Sequence, residues 1–410
     1  MCSGDHEIVA LLRLTLTPGL GPVRIGRLVE AFGSATAVLG VSASRLETVK
    51  GIGPQLAEQI ARGLAASGGL AEQELGRCAE LGVRLVARGS AGYPPLMGML
   101  PEAPPLLYVK GAFEPTGADR FPIAIVGSRG CSSYGIEQAE RFAGIFATAG
   151  IVTVSGGARG IDTAAHRGAL RAGGRTCAVL GSGLGKVYPE ENAGLFERMV
   201  EAGGTLISEL PVDTPPTAEN FPARNRIISG MSLGVVVIEA AAGSGALITA
   251  RAAVEDQGRE VFALPGRVDS PTSRGSLELI KAGSAALVTD PGDVLRELEM
   301  QARHLLGGTF GDRYTPPTAT ATTNSNTPPS GGAGAEGLFR SGGTDGAGAD
   351  EGVGGDRRGT DPLLSALDRA RTIDELAAAT GVGLPELRAR LTVLELQRRV
   401  RRVGSRFERT

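Results

Sequence analysis

The residues best suited to chemistry are glycines, serines and arginines that follow short apolar runs between residues 123 and 289. Ile123–Arg129 reads IAIVGSR, and Ile151–Asp162 reads IVTVSGGARGID. Further along, Phe221–Gly230 reads FPARNRIISG and Glu239–Ala250 reads EAAAGSGALITA. Glycine loops bring backbone N–H groups close to a ligand, and arginine offers planar, bidentate donors for phosphate. These residue types in this pattern predict a binding site for an extended anion.

The apolar runs that precede these signatures are each followed by a helical pattern. This alternation of strand and helix predicts βαβ units in an extended Rossmann-like, doubly wound, mostly parallel α/β sheet. Ligands of such sheets bind beyond the carboxyl ends of the strands, so the signatures should share one edge. The five runs are Ile123–Arg129, Ile151–Asp162, Thr176–Gly183, Thr205–Glu209 and Leu233–Ala240.

Several of these residues also have a purely structural interpretation, and the sequence leaves both open. Phe221 offers a surface for stacking a nucleobase, and Arg224 and Arg226 offer donors for phosphate, but a core phenylalanine and ion-paired arginines fit equally well. Asp162 lies near a helix start, where its charge suits the helix dipole, and this interpretation is favoured over catalysis. His166 is expected to be a buried, hydrogen-bonded histidine and not a general base.

Catalytic signatures are missing from the chain. GSGLGKVYP has Leu180 and Val187 where a Walker loop needs glycine and a hydroxyl residue, and no GxGxxG follows the first strand. The four cysteines are scattered without a CxxC pair, which argues against a disulfide framework or a zinc site. The sequence therefore predicts a binding protein that is not an enzyme, with no catalytic residues, no metal and no cofactor.

Composition limits the partners. The formal net charge is −2, so a nucleic-acid partner would need a local basic patch. The start of the chain lacks the pattern of a signal peptide, and no apolar run reaches the 18 residues that suggest a membrane-spanning helix. We therefore expect a cytoplasmic protein that has no membrane partner.

Four regions follow from the pattern along the chain. Residues 1–70 contain two similar apolar-Gly-apolar-Gly segments and predict a helix-hairpin-helix domain, and residues 71–303 predict the Rossmann-like domain. Two apolar runs, Val83–Val86 and Leu106–Val109, should add edge strands to its sheet. Residues 304–360 are rich in Gly, Ala, Thr, Ser and Pro and predict a disordered linker. Residues 361–410 predict a winged helix-turn-helix, with a Thr372–Glu375 capping box and an arginine-rich hairpin.

Taken in order, the motifs resemble those of the DNA-processing protein A (DprA/Smf) family. The matching segments span roughly Gly92 to Asp290 without large gaps. They are IVGSR, SGGARGIDTAAHRGAL, AVLGSG with VYPEEN, ISELP, FPARNRIISGMS, VIEA with SGALITA, and VFALPG. The helical N-terminal region and the C-terminal winged helix also fit the layout of this family.

The resemblance implies a protein of natural transformation that binds single-stranded DNA, protects incoming strands and loads the RecA recombinase. It also implies a homodimer formed through the Rossmann-like domain. Together with the glycine signatures, the resemblance predicts the residues of the DNA groove. They are Gly127, Ser128, Arg129, Ser155, Gly156, Gly157, Arg159, Phe221, Arg224, Asn225, Arg226, Ser244 and Gly245.

One enzyme class competes with this interpretation. Nucleotide phosphoribohydrolases of the LOG type use the same fold class and carry PGGxGTxxE with a catalytic glutamate after a strand. Here the corresponding segment, Glu239–Ala250, lacks both the PGG opening and the final glutamate. This enzyme is retained as the alternative function.

Overall fold

The structure is a computed structural model that describes residues 3–306 and, further on, residues 366–367, 371–380, 382, 387, 391, 394, 400–403 and 406–409. The chain forms two compact units, Met1–Tyr314 and Thr315–Thr410. In the described ranges, no helix combines the length and apolarity needed to cross a bilayer.

The N-terminal region is helical, as predicted. Gly19 and Gly51 adopt φ of 87° and 90° in the turns that precede α2 and α5, a conformation that other residues rarely adopt. Each of these helices then begins with a proline at its first position, where the missing N–H costs nothing. The helices are α1 (Ser3–Thr15), α2 (Pro22–Phe32), α3 (Ala35–Val38), α4 (Ala43–Leu46) and α5 (Pro54–Leu81).

Helix α5 crosses the boundary predicted between residues 70 and 71. It continues for 28 residues through Gly68 and Gly69. Glycine costs a helix about 1 kcal/mol relative to alanine. A continuous buried stripe outweighs that cost here. The stripe consists of Ala57, Ile60, Leu64, Ser67, Ala71 and Cys78.

The helical region and the sheet share one core. Leu12 and Leu64 from the helices are buried in the same cluster as Tyr108 and Leu206 from the sheet. The unit therefore has two packed faces: the N-terminal helices help to cover one side of the sheet, and a second apolar cluster fills the other side.

The central sheet has nine strands in the order β1-β2-β6-β5-β4-β3-β7-β8-β9. Strands β3 to β9 pair in parallel, while β1 and β2 form an antiparallel extension at one edge, as predicted. The strands are β1 (Val83–Ala87), β2 (Leu106–Gly111), β3 (Pro122–Val126), β4 (Val152–Ser155), β5 (Thr176–Val179), β6 (Thr205–Ser208), β7 (Gly234–Val237), β8 (Glu260–Ala263) and β9 (Ala286–Leu287).

Helices connect these strands and cover both faces, which is why the inner strands are buried along their whole length. A single π-helical turn, Ala252–Asp256, follows α11, and short 3₁₀ turns lie at Glu190–Asn192 and Pro271–Ser273. The helices are α6 (Pro95–Gly98), α7 (Ser133–Thr148), α8 (Ile161–Arg171), α9 (Ala193–Glu201), α10 (Asn220–Gly230), α11 (Gly245–Arg251), α12 (Arg274–Lys281) and α13 (Pro291–Leu306).

In its described residues, the second unit contains a three-stranded antiparallel sheet of order β10-β12-β11 and the helix Ile373–Thr380. The predicted capping box is present: the Thr372 amide donates to Glu375 at 2.8 Å, and the Glu375 amide donates to the Thr372 hydroxyl at 3.3 Å. The predicted hairpin is also present. The elements are β10 (Arg371–Thr372), α14 (Ile373–Thr380), β11 (Val400–Val403) and β12 (Arg406–Arg409).

Some predictions fall outside the described residues. These are the linker from residue 307 to 360, most of the two other winged-helix helices, and the basic side chains at the hairpin tip. The tip side chains are Arg398, Arg399, Arg401, Arg402 and Arg406.

Candidate nucleic-acid interface

The signatures that follow β3 and β7 meet at the topological switch point of the sheet. β3 pairs with β4 on one side and with β7 on the other, so the chain winds away in both directions from this pair. Crevices at such points are the usual ligand sites of doubly wound sheets. The Ser128 amide donates to the Glu239 carbonyl at 2.7 Å and ties the two strand ends together. A cleft of about 800 Å³ opens above them.

The two loops present backbone donors to this cleft. Within the described residues, the amides of Arg129, Gly130, Ala242 and Gly243 donate to no protein acceptor, and all four residues line the cleft. The Ser128 hydroxyl is already engaged within the protein, because it accepts from the Ala241 amide at 3.1 Å. Clustered, unpaired N–H groups attract an anion without a side-chain charge.

Arg129 is the exposed cation of the cleft. Its guanidinium carbon lies 5.1 Å from the centre of the Phe221 ring, and no acceptor in residues 3–306 takes a hydrogen bond from it. The half-buried Phe221 ring packs against Tyr188, with 5.6 Å between the ring centres and 54° between the planes. Arg129, Phe221 and Tyr188 thus form an aromatic and cationic wall.

Arg224 lies behind this wall and is only 4% exposed. Its Nη1 donates to the Gly156 carbonyl at 2.7 Å and to the Val179 carbonyl, and its Nε donates to Asn225 at 3.3 Å. Burial lowers the pKa of Arg224 to about 10, so it remains cationic at neutral pH. It lines the cleft from below, but protein acceptors hold most of its guanidinium.

Asp162 provides the opposite charge for Arg224. It is 7% exposed, and its Oδ2 accepts from the Gly156 amide at 3.1 Å and the Ala158 amide at 3.2 Å. Burial raises the pKa of this carboxyl group, while Arg224 and the amides favour its charged form. The carboxylate lies in the first turn of α8, where the prediction placed it, and it also closes the β4–α8 loop.

His166 is fully buried one turn further along α8, as predicted. The Thr176 hydroxyl donates to the Thr153 carbonyl at 2.8 Å, so its oxygen accepts from His166 Nδ1 at 2.8 Å. This pairing assigns the imidazole proton to Nδ1. Burial, and then the nearby charge of Arg224, lower the pKa of His166 to about 3. His166 is therefore neutral at physiological pH.

The structure brings eight of the thirteen predicted residues to the cleft surface. One of them, Asn225, connects α10 to α11: its Nδ2 donates to the carbonyl of Gly245, the first residue of α11, at 3.3 Å. Ser244 caps α11 by accepting from the Ala246 amide at 3.4 Å. The eight are Gly127, Ser128, Arg129, Phe221, Arg224, Asn225, Ser244 and Gly245.

The loop Ser155–Gly157 supports the cleft from beneath and does not line it. The Ser155 hydroxyl is buried and donates to the Ile125 carbonyl at 2.7 Å. A side chain on Gly156 would come within 2.7 Å of Asp162 Oδ2 and 2.8 Å of Arg224 Nη2, so only glycine fits between them. These residues shape the site without facing a ligand.

Two predicted arginines point elsewhere. Arg226 pairs with Glu209 at 2.5 Å, on a side of α10 that does not face the cleft. Arg159 borders a small neighbouring hollow and is held by Glu191 in a two-pronged ion pair. The ion-paired alternative for the motif arginines is therefore what Arg226 and Arg159 show here.

Several cleft residues were not predicted from the sequence. Tyr188 lies in the motif VYPEEN, and its aromatic side chain was the signal that could have identified it. Ile248, which is 45% exposed, and Thr249 lie along α11, where the apolar pattern gave no hint of a ligand surface. In the described part of the chain, no cluster of three His, Cys, Asp or Glu residues could hold a metal ion.

The fold is that of a doubly wound α/β protein, with glycine loops, unpaired amides and an exposed arginine at its switch point. Residues 84–299 match the family model for DNA recombination-mediator protein A. Residues 11–66 match a SAM-like helix-hairpin-helix tandem, and residues 357–405 match a DprA winged helix domain. The chain belongs to the DNA recombination-mediator protein A family, which confirms the resemblance and the predicted fold.

Similar proteins come from several bacteria. Protein Smf of Escherichia coli strain K12 is 46% identical over 232 residues, which cover 57% of this chain and 61% of that protein. DNA processing protein DprA of Streptococcus pneumoniae is 43% identical over 50% of this chain and 71% of that protein. The X-ray structure of DprA from Streptococcus pneumoniae superimposes with a TM-score of 0.60 at 34% identity, covering 72% of this chain and 99% of that one.

Proposed function

We propose that this protein binds single-stranded DNA in the cleft at the β3–β7 switch point. One observation carries the proposal: the exposed Arg129 guanidinium lies over the Phe221 ring beside four unpaired backbone amides. A cation and amides suit phosphates, while an accessible aromatic face suits a base. Single-strand binding proteins combine these two elements.

The preference for single strands follows from the aromatic wall. Phe221 can stack only with a base that is not already stacked and paired within a duplex. Base stacking on an aromatic residue is worth about 1–3 kcal/mol per base. Duplex DNA could use Arg129 and the amides, but it would forgo this stacking.

A competition experiment tests the proposal. A labelled 30-nucleotide single strand is bound to the full chain, and unlabelled single strands or duplexes of the same length compete at two salt concentrations. We expect the single strand to compete better at both. Equal competition by duplex would remove the basis for the proposed function.

We also propose that the bound strand is protected and passed to the RecA recombinase during natural transformation, in the cytoplasm. Membership of a recombination-mediator family and the DNA processing names of the relatives support this role. RecA assembly on strands coated with single-strand binding protein provides the test. We expect this protein to shorten the lag before assembly, and an unchanged lag would oppose the RecA step alone.

The proposed function is binding without catalysis. The alternative, a nucleotide phosphoribohydrolase, needs a carboxylate that is free to act on the ribose. Asp162 is engaged by two amides, and Glu239, behind the cleft, accepts from Ser132 at 2.9 and 3.0 Å and from Thr272. Incubation with AMP should release no adenine, whereas steady release would favour the enzyme.

A homodimer is part of the proposal. β9 is the last strand at one edge of the nine-stranded sheet, and Leu287 on it is 55% exposed. Leu277, Leu279 and Ile280 on α12 are half-buried. A symmetric partner would cover this surface, and two linked grooves would raise avidity. Light scattering should give twice the chain mass, and Leu287→Lys should halve it. A monomeric wild-type chain would exclude the dimer.

A further inference from the structure

Arg224 is the centre of a buried cross-link between three elements beneath the cleft. Its Nη1 joins the Gly156 carbonyl, directly after β4, to the Val179 carbonyl, the last of β5. The arginine itself belongs to α10. Carbonyl groups at the ends of parallel strands otherwise need water or another donor, because buried backbone groups are rarely left unpaired.

A third donor of the guanidinium is also committed to the protein. Nε donates to Asn225, so three of the five N–H donors have protein acceptors. Nη2 lies on the side of Gly156, where Asp162 Oδ2 also approaches. A cation that is 4% exposed needs hydrogen-bond acceptors and a nearby opposite charge; here three acceptors bind Arg224, and the charge of Asp162 acts on it without a direct ion pair.

Phe221 lies one helical turn before Arg224, on the same side of α10. The Arg224 guanidinium carbon is 5.9 Å from the centre of the Phe221 ring, and the Arg129 carbon is 5.1 Å from it. Arg129 makes no protein hydrogen bond in residues 3–306, whereas Arg224 is bound to two strand ends. The two arginines beside Phe221 therefore differ in what they can offer a ligand.

We propose that Arg224 is a positioning residue that fixes Phe221 for base stacking, and that Arg129 is the phosphate-contacting arginine of this pair. The inference rests on the proposed binding of single-stranded DNA. The two arginines thus have different roles, although the sequence predicts phosphate contacts for both. Gly156 and Asp162 support the same role. Gly156 leaves room for the Arg224 guanidinium, and the negative charge of Asp162 balances its positive charge.

Salt dependence separates the two roles. Each phosphate contact to a single strand contributes about 0.7 to the slope of log affinity against log salt concentration. Arg129→Ala should lower the slope by about 0.7. Arg224→Gln, combined with Asp162→Asn to remove the buried pair as a unit, should weaken binding at every salt concentration and leave the slope unchanged. A slope lowered by about 0.7 in this double variant would overturn the proposal.

Arg224→Lys gives an independent comparison, because it retains the charge but loses the Nε bond to Asn225 and the planar guanidinium beside the Phe221 ring. A phosphate contact would tolerate this change. A positioning residue would not, and binding should weaken by about 5- to 150-fold, the equivalent of losing one base stack. Near wild-type affinity in Arg224→Lys would oppose the proposal. Loss of folding in Arg224→Lys would also oppose it, because Arg224 would then support the whole fold and not the position of Phe221 alone.

A fluorescence experiment needs no DNA at all. The chain contains no tryptophan, so Phe221→Trp introduces a single reporter at the wall of the cleft. Adding Arg224→Lys should increase acrylamide quenching of this reporter, while adding Tyr134→Ala, which does not line the cleft, should leave it unchanged. Equal quenching in all three proteins would refute the positioning role. If the wild-type chain fails to bind single strands, the proposed function fails, but quenching still decides the role of Arg224.

Discussion

Glu191 holds the guanidinium of Arg159 with both of its carboxylate oxygens, at the rim of the hollow beside the cleft. Both side chains are about half exposed, at 53% and 50%. Arg159 also lies 5.8 Å from the ring of Tyr188, which packs on Phe221. The Glu191 carboxylate thus occupies the two N–H donors of Arg159 that a DNA phosphate would use.

Glu191→Gln should therefore strengthen binding of single-stranded DNA. The amide releases the Arg159 fork, and one more phosphate contact should raise the salt slope by about 0.7. Affinity measured by fluorescence anisotropy at several salt concentrations provides the test. Glu190→Gln is the matched control, because the neighbouring Glu190 is exposed and pairs with no described residue. An identical slope in both variants would show that DNA does not use Arg159.

Phe221→Ala should weaken binding to single strands by about 1–3 kcal/mol, because one base loses its stacking surface. Affinity for duplex DNA should change little. Gel-shift titrations with both DNA forms measure the difference. Tyr134→Ala is the control, since Tyr134 is also an exposed aromatic residue, at 47%, but does not line the cleft. A parallel loss for duplex would mean that Phe221 supports the fold and does not contact a base.

His166 should make the fold sensitive to acid. Its folded pKa is about 3, against about 6.5 in an unfolded chain. Between these two pKa values, His166 is protonated in the unfolded chain and neutral in the folded chain. The free energy of unfolding should therefore fall as pH drops from 6.5, by up to about 1.4 kcal/mol per pH unit.

Urea unfolding between pH 7 and 4.5 measures this dependence. His166→Asn retains a donor for Thr176 but has no titrating ring, so its stability should vary less with pH than that of the wild type. The raised pKa of Asp162 acts in the opposite direction and is present in both proteins, so their difference isolates His166. Parallel curves for wild type and His166→Asn would contradict the assignment.

The sheet could be predicted from sequence because each parallel strand is a short apolar run that ends in glycine or a polar residue. Val235–Val237, for example, are all fully buried. Helix α5 could not be predicted as one element, since Gly68 and Gly69 signal a break and only tertiary packing of its buried stripe overrides them. Packing of α5 in the shared core therefore outweighs the low helix propensity of these two glycines.

The site was predicted less completely, for a geometric reason. The motif from Phe221 to Arg226 suggested donors facing one ligand, but α10 begins at Asn220, before the proline. At 100° per residue, Phe221 and Arg224 share a side, and Arg226 lies about 200° beyond Arg224. Sequence identifies the arginines, but only the helix start tells which one faces the cleft. The partners of buried charges, such as Asp162 with Arg224, come from distant elements and carry no local signal.

A chain that ends at Leu306 should retain the core activity. Helix α13 extends to that residue, and Val294, Leu295 and Leu298 on it are buried in the first unit. Every described residue that lines the cleft lies before Leu306. We expect the truncated protein to unfold at the same urea concentration as the first transition of the full chain. It should still bind single strands, with lower affinity if the arginines near residues 398–406 add contacts. A second truncation at Asp290, which removes α13, should lose stability and serves as the contrast. If the stably folded 306-residue chain lost all binding, the C-terminal unit would be the part that binds DNA.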